Sequence, residues 1–259
     1  MNIRKRLYDD FFGPSKENEY ELILKQASEN GYEFHTVLSF EEVIAHGLEE
    51  GKKYLILRRD IDTGDFKILR KMLALEKKYG ARATYYFRWN TINVKLMREI
   101  SEAGGKASYH YEEIATFCYK RHIRTALRIL ENIEIIKDQF IENYHRFKDL
   151  TGQPCLTVAS HGDFMNVRIQ LKNCLLIDER VRKETGILRE AYDKEHEQLL
   201  TCNLFDMDMS VFVNNALDAI KHGEPVLELL THPRQWNSSF WVNLKEEFSR
   251  IIRGIWMKF

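Results

Sequence analysis

The sequence Tyr-Leu-Ile-Leu-Arg-Arg-Asp-Ile-Asp occupies residues 54–62 and indicates the fold class. Its apolar first part, residues 54–57, predicts a short strand, and charged residues follow directly at the carboxyl end of that strand. The same order recurs along the chain, because β-favouring runs alternate with segments whose apolar residues have helical spacing. Such alternation predicts a βαβ architecture with a mainly parallel sheet, either open or closed into a barrel.

The predicted elements cover most of the chain. We expect strands at residues 32–38, 54–57, 83–87, 107–111, 156–159 and 226–230. We expect helices at 16–29, 65–79, 92–103, 113–150 (as one long helix or two shorter ones) and 239–257. A further helix is predicted to begin with Ser39 as its N-cap and Glu42 at the capping-box position. The 4 prolines and 13 glycines do not cluster into a linker, so we expect one domain over residues 1–259, with the last helix packed on it.

Composition excludes several classes of function. The 259 residues include 39 Lys and Arg and 39 Asp and Glu, so the net charge is zero and no global field favours a nucleic-acid partner. No apolar run is long enough for a membrane span. The 4 cysteines form no CxxC pair, and the first residues lack the apolar segment of a signal peptide. We therefore expect a cytoplasmic protein with reduced thiols, either a monomer or a homodimer.

Two carboxylates, Asp60 and Asp62, stand at the carboxyl end of the 54–57 strand. A spacing of two places both side chains on one face of a strand. Like charges on one face repel unless a cation or a shared proton relieves them. One resolution is a metal ion bound by one carboxylate, with the other left free as a base. The pair also fits a strand-end turn or a helix cap.

Three histidines stand at the carboxyl ends of other predicted strands: His110, His161 and His232. In parallel α/β folds, functional side chains gather at the carboxyl ends of the strands. Imidazole is the commonest neutral metal ligand. Each histidine alone also fits a packing or surface role, but their shared position at strand ends favours one common site.

These residues stand in an order that resembles a known family. The segments that carry the resemblance are residues 57–62, 66–80, 83–88, 108–112, 160–162, 187–193 and 230–233. They resemble polysaccharide deacetylase-like proteins (the NodB homology domain), in the branch with His-Tyr-Glu in the second motif, over roughly residues 20–236. The resemblance implies a distorted (β/α) barrel with fewer than eight repeats. It also implies metal-dependent removal of an N- or O-acetyl group from a sugar.

The resemblance also implies roles for individual residues. Asp60 matches the catalytic base, and His232 matches the histidine that protonates the leaving group. Asp62 and His110 match metal ligands. Ile114 occupies the position of the family's second metal histidine, so a third ligand must come from elsewhere, with His161 ahead of Asp163. Residues expected to touch substrate or support the site are Arg59, Arg88, Glu112 and Asp163.

The leading hypothesis is a deacetylase-like hydrolase with a divalent metal, zinc first among the candidates. Its carbohydrate substrate would be a small or carrier-linked acetylated sugar, as in surface polysaccharide biosynthesis. A second hypothesis is a non-catalytic, metal-free member that binds a sugar or a partner, with Arg59 placing its guanidinium beside Asp60 or Asp62. A third is a metal-independent hydrolase of another C–N bond that uses only Asp60 and His232.

Overall fold

The computed structural model describes residue 8 and residues 11–237, 239–245, 247 and 248. Eight strands lie within these residues, and every pairing between them is parallel. They are β1 (Tyr32–His35), β2 (Lys53–Ile61), β3 (Thr84–Phe87), β4 (Lys106–Tyr111), β5 (Thr157–Ser160), β6 (Arg189–Glu190), β7 (Cys202–Phe205) and β8 (Val226–Thr231).

Seven strands form one curved path in the order β6-β5-β4-β3-β2-β8-β7, and β1 pairs with the first half of β2. The nine residues of β2 make it the centre of the sheet. Its second half pairs with β3, while β8 runs along its other side. The sheet curls into a half-barrel with flanking helices, which confirms the predicted distorted (β/α) barrel.

Helices connect the strands. They are α1 (Glu17–Glu29), α2 (Val37–His46), α3 (Phe66–Lys78), α4 (Val94–Glu102), α5 (Glu113–Arg121), α6 (Ala126–Leu130), α7 (Ile133–Thr151), α8 (Phe164–Ile169), α9 (Glu179–Thr185), α10 (Lys194–Glu197) and α11 (Met209–His222). Short 3-10 helices cover Trp89–Thr91, Asn173–Leu176 and Pro233–Gln235. Among the described residues, none of the helices combines the length and the apolar character needed to cross a membrane.

Several predicted element boundaries need correction or completion. The strand predicted at 32–38 ends at His35, and the strand predicted at 54–57 continues to Ile61, so that Asp60 lies inside it. The segment 113–150 forms three helices, α5, α6 and α7, and not one or two. Ser39 is not an N-cap, because α2 begins at Val37 and is capped by Thr36, whose hydroxyl accepts a hydrogen bond from the Ser39 backbone N–H. Ser39 instead completes the capping box as its third helical residue. Of the helix predicted at 239–257, residues 240–245, 247 and 248 are helical, and residues 249–257 lie outside the described part of the chain.

Alternation along β2 separates the core from the site. Leu55 and Leu57 belong to the main core together with apolar residues of α1 and α3. Ile56 lies on the opposite, inner face, in a smaller apolar cluster with residues of α2 and β8. Because side chains alternate along a strand, Arg58 and Asp60 share the inner face with Ile56. The strand therefore carries its charged residues into the interior of the half-barrel.

Candidate metal and catalytic site

Asp62, His110 and His161 converge at the carboxyl ends of β2, β4 and β5. Asp62 Oδ1 lies 3.1 Å from His161 Nδ1 and 3.6 Å from His110 Nε2. The three ligand atoms lie within 4.8 Å of one another. The parallel sheet explains the convergence, because it brings the ends of separate strands to one edge. These are the three residues that the sequence predicts as metal ligands.

The ring of His110 is held in an orientation suited to ligation. Its Nδ1 donates a hydrogen bond to the Ala159 carbonyl oxygen over 2.9 Å, so Nε2 faces Asp60 and Asp62. Burial lowers the pKa of His110 to about 4 despite the nearby carboxylates. The imidazole is therefore neutral near pH 7 with a lone pair on Nε2, the form in which histidine binds a metal.

The donor set passes a test of fit for a divalent cation. Asp62 Oδ1 is buried and has no hydrogen-bond partner among the described residues, although two imidazole nitrogens lie close to it. Burial opposes the charge, but His161, His232 and His110 hold the pKa of Asp62 well below its usual value. Ligands about 2.0 Å from a tetrahedral ion lie roughly 3.3 Å apart, close to the two separations from Asp62 Oδ1. Two imidazoles and one carboxylate form a donor set that suits zinc.

Asp60 lies beside this cluster and is fixed by Arg58. The guanidinium donates through Nε to Oδ1 over 2.9 Å and through Nη2 to Oδ2 over 2.8 Å. Both side chains are buried. Burial raises the pKa of Asp60, but Arg58 and then His110 outweigh it and keep that pKa below its usual value. Asp60 Oδ2 is also 3.6 Å from His110 Nε2, so an ionised carboxylate faces the candidate metal position.

His232 approaches the cluster from β8. Asp206, at the end of β7, accepts hydrogen bonds from the His232 backbone N–H and, over 2.7 Å, from Nδ1. The other ring nitrogen, Nε2, lies 3.7 Å from Asp62 Oδ2. Burial disfavours the charged ring, but Asp206, followed by Asp62 and Asp60, raises the pKa of His232 to about 9. A protonated imidazole therefore faces the site with Nε2–H.

Arg88, Glu112 and Asp163 lie at the same edge of the sheet. Arg88 donates to both oxygens of Glu112, over 3.2 and 2.6 Å. Asp163 caps α8 through the Met165 N–H and accepts the Tyr119 hydroxyl. Ligand atoms of Glu112 and Asp163 also approach His161. It is His161, and not Asp163, that joins Asp62 and His110. The predicted roles of Arg88, Glu112 and Asp163 around the substrate stay predictions.

Arg59 lies elsewhere than expected. It faces the helices on the outer side of β2, fully buried, and forms an ion pair with Glu76 over 3.1 Å. It also donates to the hydroxyls of Tyr20 and Thr231. The expected contact of Arg59 with Asp60 or Asp62 is wrong, because neighbouring residues of a strand point to opposite faces. Ile114 is buried in the core and offers no ligand atom. The third residue beside Asp62 and His110 is His161.

Sequence reasoning missed Arg58, Asp206 and Tyr192. The ring of Tyr192 lies 4.4 Å from the Arg58 guanidinium, on which it packs. The position of Arg58 carried a signal, since a residue two before Asp60 must share its face of the strand. Asp206 carried little signal, because β7 is four residues long and none of its side chains is fully buried. Tyr192 lies in the segment 187–193, which carries part of the resemblance, but the sequence gives this residue no role in the site.

Comparison with known proteins yields similar solved structures only. No protein-family model matches the chain, and no curated protein matches it. The deacetylase PplD of Streptococcus pyogenes, solved in complex with acetate, is 14% identical with a TM-score of 0.46, over 65% of this chain and 73% of PplD. Wild-type BA3943 from Bacillus anthracis, a CE4 family pseudoenzyme, is 14% identical with a TM-score of 0.45, over 80% of this chain and 63% of BA3943.

IcaB from Ammonifex degensii is a third similar structure. It is 14% identical with a TM-score of 0.42, over 59% of this chain and 70% of IcaB. These values describe a partial similarity of the fold and no more. What these proteins bind or catalyse belongs to them, and the activity of this chain has to be argued from its own side chains.

Proposed function

We propose that this protein is a divalent-metal-dependent hydrolase that removes an acetyl group from a sugar. One observation carries the proposal: Asp62, His110 and His161 converge between the carboxylate of Asp60 and the imidazole of His232. A cation, a base and an acid arranged around one point are the groups that hydrolysis of an amide or ester needs. The acetyl group and the sugar come from the resemblance of the motifs to polysaccharide deacetylase-like proteins.

Asp62, His110 and His161 would hold the metal. A bound divalent ion polarises a carbonyl oxygen and lowers the pKa of water. The chain orients these ligands. The Ala159 carbonyl fixes the His110 ring, and Asp62 Oδ1 has no hydrogen-bond partner among the described residues that would compete with a metal. Zinc is the first candidate, since three protein ligands of nitrogen and oxygen type are usual for catalytic zinc.

Asp60 would act as the general base. Arg58 occupies one direction on each carboxylate oxygen, and a carboxylate oxygen keeps a further lone pair for a water molecule. Asp60 Oδ2 takes a proton from water while the water oxygen forms a bond to the acetyl carbonyl carbon. The bidentate contact with Arg58 holds the carboxylate in place, because a buried charged pair with two hydrogen bonds has little freedom.

His232 would act as the general acid. Its Nε2–H first stabilises the developing oxyanion and then gives its proton to the departing amine or alcohol, as the bond from the carbonyl carbon to the leaving group breaks. Asp206 supports the charged ring before the transfer and fixes its direction through Nδ1. Acetate and the deacetylated sugar are the products. The sugar would be small or carrier-linked, as for a cytoplasmic step of surface polysaccharide assembly.

The experiment measures metal content and turnover on the same preparations. Wild type is compared with Asp62→Ala/His110→Ala, with Asp60→Asn, and with a control double variant, His145→Ala/Asp149→Ala, at exposed positions of α7. We expect about one divalent ion per chain in wild type, Asp60→Asn and the control, and far less in the ligand variant. Deacetylation of methyl N-acetylglucosaminide should fall at least about 100-fold in Asp60→Asn.

The outcomes separate the hypotheses. Equal turnover in Asp60→Asn and wild type would refute the role of Asp60. Wild type that holds no metal after supplementation and hydrolyses no N- or O-acetyl sugar would favour the non-catalytic binding protein. Turnover that persists in the ligand variant without metal would favour the hydrolase that uses Asp60 and His232 alone.

A further inference from the structure

A groove opens beside the candidate site, on the side of β5 and α8. It has a volume of about 440 Å³ and runs along residues 160–163, 166–167 and 170–173 to Tyr192. This volume is in the range of small-molecule sites and far exceeds what a two-carbon acetyl group needs. His161 belongs to both places, because it lines the groove and lies 3.1 Å from Asp62.

Two of the three amide side chains of the groove, Asn166 and Asn173, are already engaged, whereas Gln170 is exposed. Asn173 accepts from the Ile114 N–H and donates to the His161 carbonyl. Asn166 donates to the Leu171 carbonyl and accepts from the Asp163 N–H. A ligand therefore meets few free polar groups on these side chains, and the amides act as the frame of the groove.

Besides the exposed Gln170 and Lys172, the surface that remains available is largely apolar. Val167 is 77% exposed, and Phe164, on the same helix α8, is 50% exposed. Leu171 is half-buried, and Tyr192 also lines the groove. At Gly162, an added Cβ would meet no heavy atom within 4 Å, so the floor has open space directly next to His161. Single exposed apolar residues are ordinary, but Val167 and Leu171 line one cavity that also includes His161 of the candidate site.

We propose that this groove binds a hydrocarbon chain of the substrate. The inference rests on the proposed function, since it supposes that the reacting carbonyl lies at the Asp62–His110–His161 cluster. A chain leaving that carbonyl past His161 would lie on Gly162 and contact Val167, Leu171 and Tyr192. Burial of each methylene there removes apolar surface from water and strengthens binding roughly threefold.

Two sources of the chain share this chemistry. The chain belongs either to the acyl group, longer than acetyl, or to a lipid carrier on the sugar side of the scissile bond. Tyr192 links the groove to the base, because its ring packs on Arg58, which holds Asp60. A chain seated against Tyr192 therefore contacts the wall that also supports the catalytic carboxylate.

The test is a calorimetric binding measurement with three ligands below their micelle concentrations. Methyl N-acetylglucosaminide carries no chain, N-octanoylglucosamine carries one on the acyl side, and octyl N-acetylglucosaminide carries one on the sugar side. We expect at least one octyl ligand to bind about tenfold or more tightly than the methyl glycoside, with a more negative heat-capacity change. A gain for N-octanoylglucosamine would place the chain on the acyl side, and a gain for octyl N-acetylglucosaminide would place it on the sugar side.

Two variants locate the binding. Val167→Asp places a charge in the groove, and Val211→Asp places one at a 55% exposed position of α11 outside it. Val167→Asp should abolish the preference for the octyl ligand, and Val211→Asp should retain it. Equal affinity for all three ligands, or equal effects of the two variants, would overturn the inference. Hydrolysis of the methyl glycoside is followed in parallel, so that chain binding without hydrolysis refutes only the proposed function.

Discussion

Asp206 is the residue that gives His232 its chemical character. It accepts from both the backbone N–H and Nδ1 of His232, which leaves Nε2 directed at the site. Loss of this partner would lower the pKa of His232, since burial disfavours the charged ring and Asp206 is the largest influence against it. The carboxylate therefore acts through His232 as a positioning residue.

Asp206→Asn should impair reactions that need a proton on the leaving group. The amide keeps a similar shape but removes the negative charge that supports the protonated ring. We expect kcat for an N-acetyl sugar to fall roughly 10- to 100-fold with little change in KM or metal content. For 4-nitrophenyl acetate the loss should be small, because its phenolate leaves without a proton.

The control for this prediction is Asp218→Asn, at an exposed position of α11. It should leave both reactions unchanged. Equal losses on the amide and on the aryl ester would indicate that Asp206 has only a structural role, and the assignment of His232 as the acid would then be wrong.

The two faces of strand β2 carry charged side chains that belong to different parts of the molecule. Its inner face carries Arg58 and Asp60, and its outer face carries Arg59, which pairs with Glu76 of α3. Tyr20 and Tyr85 donate their hydroxyls to the same Glu76 carboxylate. Two buried arginines adjacent in sequence thus belong to two separate networks, one in the half-barrel and one between the sheet and its helices.

Arg59→Met should destabilise the protein without altering the site. It leaves the Glu76 charge buried without a cationic partner, which costs about 3–5 kcal/mol in the free energy of unfolding. Arg59→Met/Glu76→Leu removes both charges and should cost less than the single change. Urea denaturation measures the loss, and metal content of the folded variants should equal that of wild type. Altered metal content in the double variant would mean that Arg59 does influence the metal site.

The sequence predicts the site better where the strands are fully buried. Residues at the ends of β2, β4, β5 and β8 were located because apolar runs precede Asp60, His110, His161 and His232. The sequence does not predict Asp206, because the side chains of β7, which precedes it, are only partly buried or exposed. The motif predicts Arg59 near the site because it is next to Asp60 in sequence. The two-residue period of a strand instead places it on the opposite face. Pairings such as Arg58 with Asp60 depend on rotamers and packing, which a pattern of residue types does not specify.

At the scale of the whole molecule, the curved sheet is bridged by charged side chains across its interior. Arg189 of β6 contacts Glu41 of α2 over 2.8 Å, and Glu41 lies 3.4 Å from His196 Nδ1. His196 Nε2 in turn lies 2.7 Å from Glu228 of β8. Since β6 is one end of the strand path and β8 is next to the other end, this chain of contacts links the two sides of the half-barrel.

His196 makes this link dependent on pH. Burial disfavours the charged ring, but Glu228 and Glu41 outweigh it and raise the pKa of His196 to about 9. Folding thus raises a pKa of roughly 6.5 in the unfolded chain. The stabilisation is fully present below about pH 6.5 and is lost as the pH rises through about 9. A shift of this size corresponds to roughly 3 kcal/mol in the free energy of unfolding.

Urea denaturation of wild type and His196→Gln at pH 6 and pH 9.5 measures this contribution. A chelator is present throughout, so that metal binding does not add its own pH dependence. The difference in stability between the two proteins should be largest at pH 6 and should shrink by about 2–3 kcal/mol at pH 9.5. His145→Gln, at an exposed position of α7, should show no such change. Because His232 titrates equally in all three proteins, a difference that is constant with pH would mean that His196 is neutral in the folded state and that the half-barrel is held together without its charge.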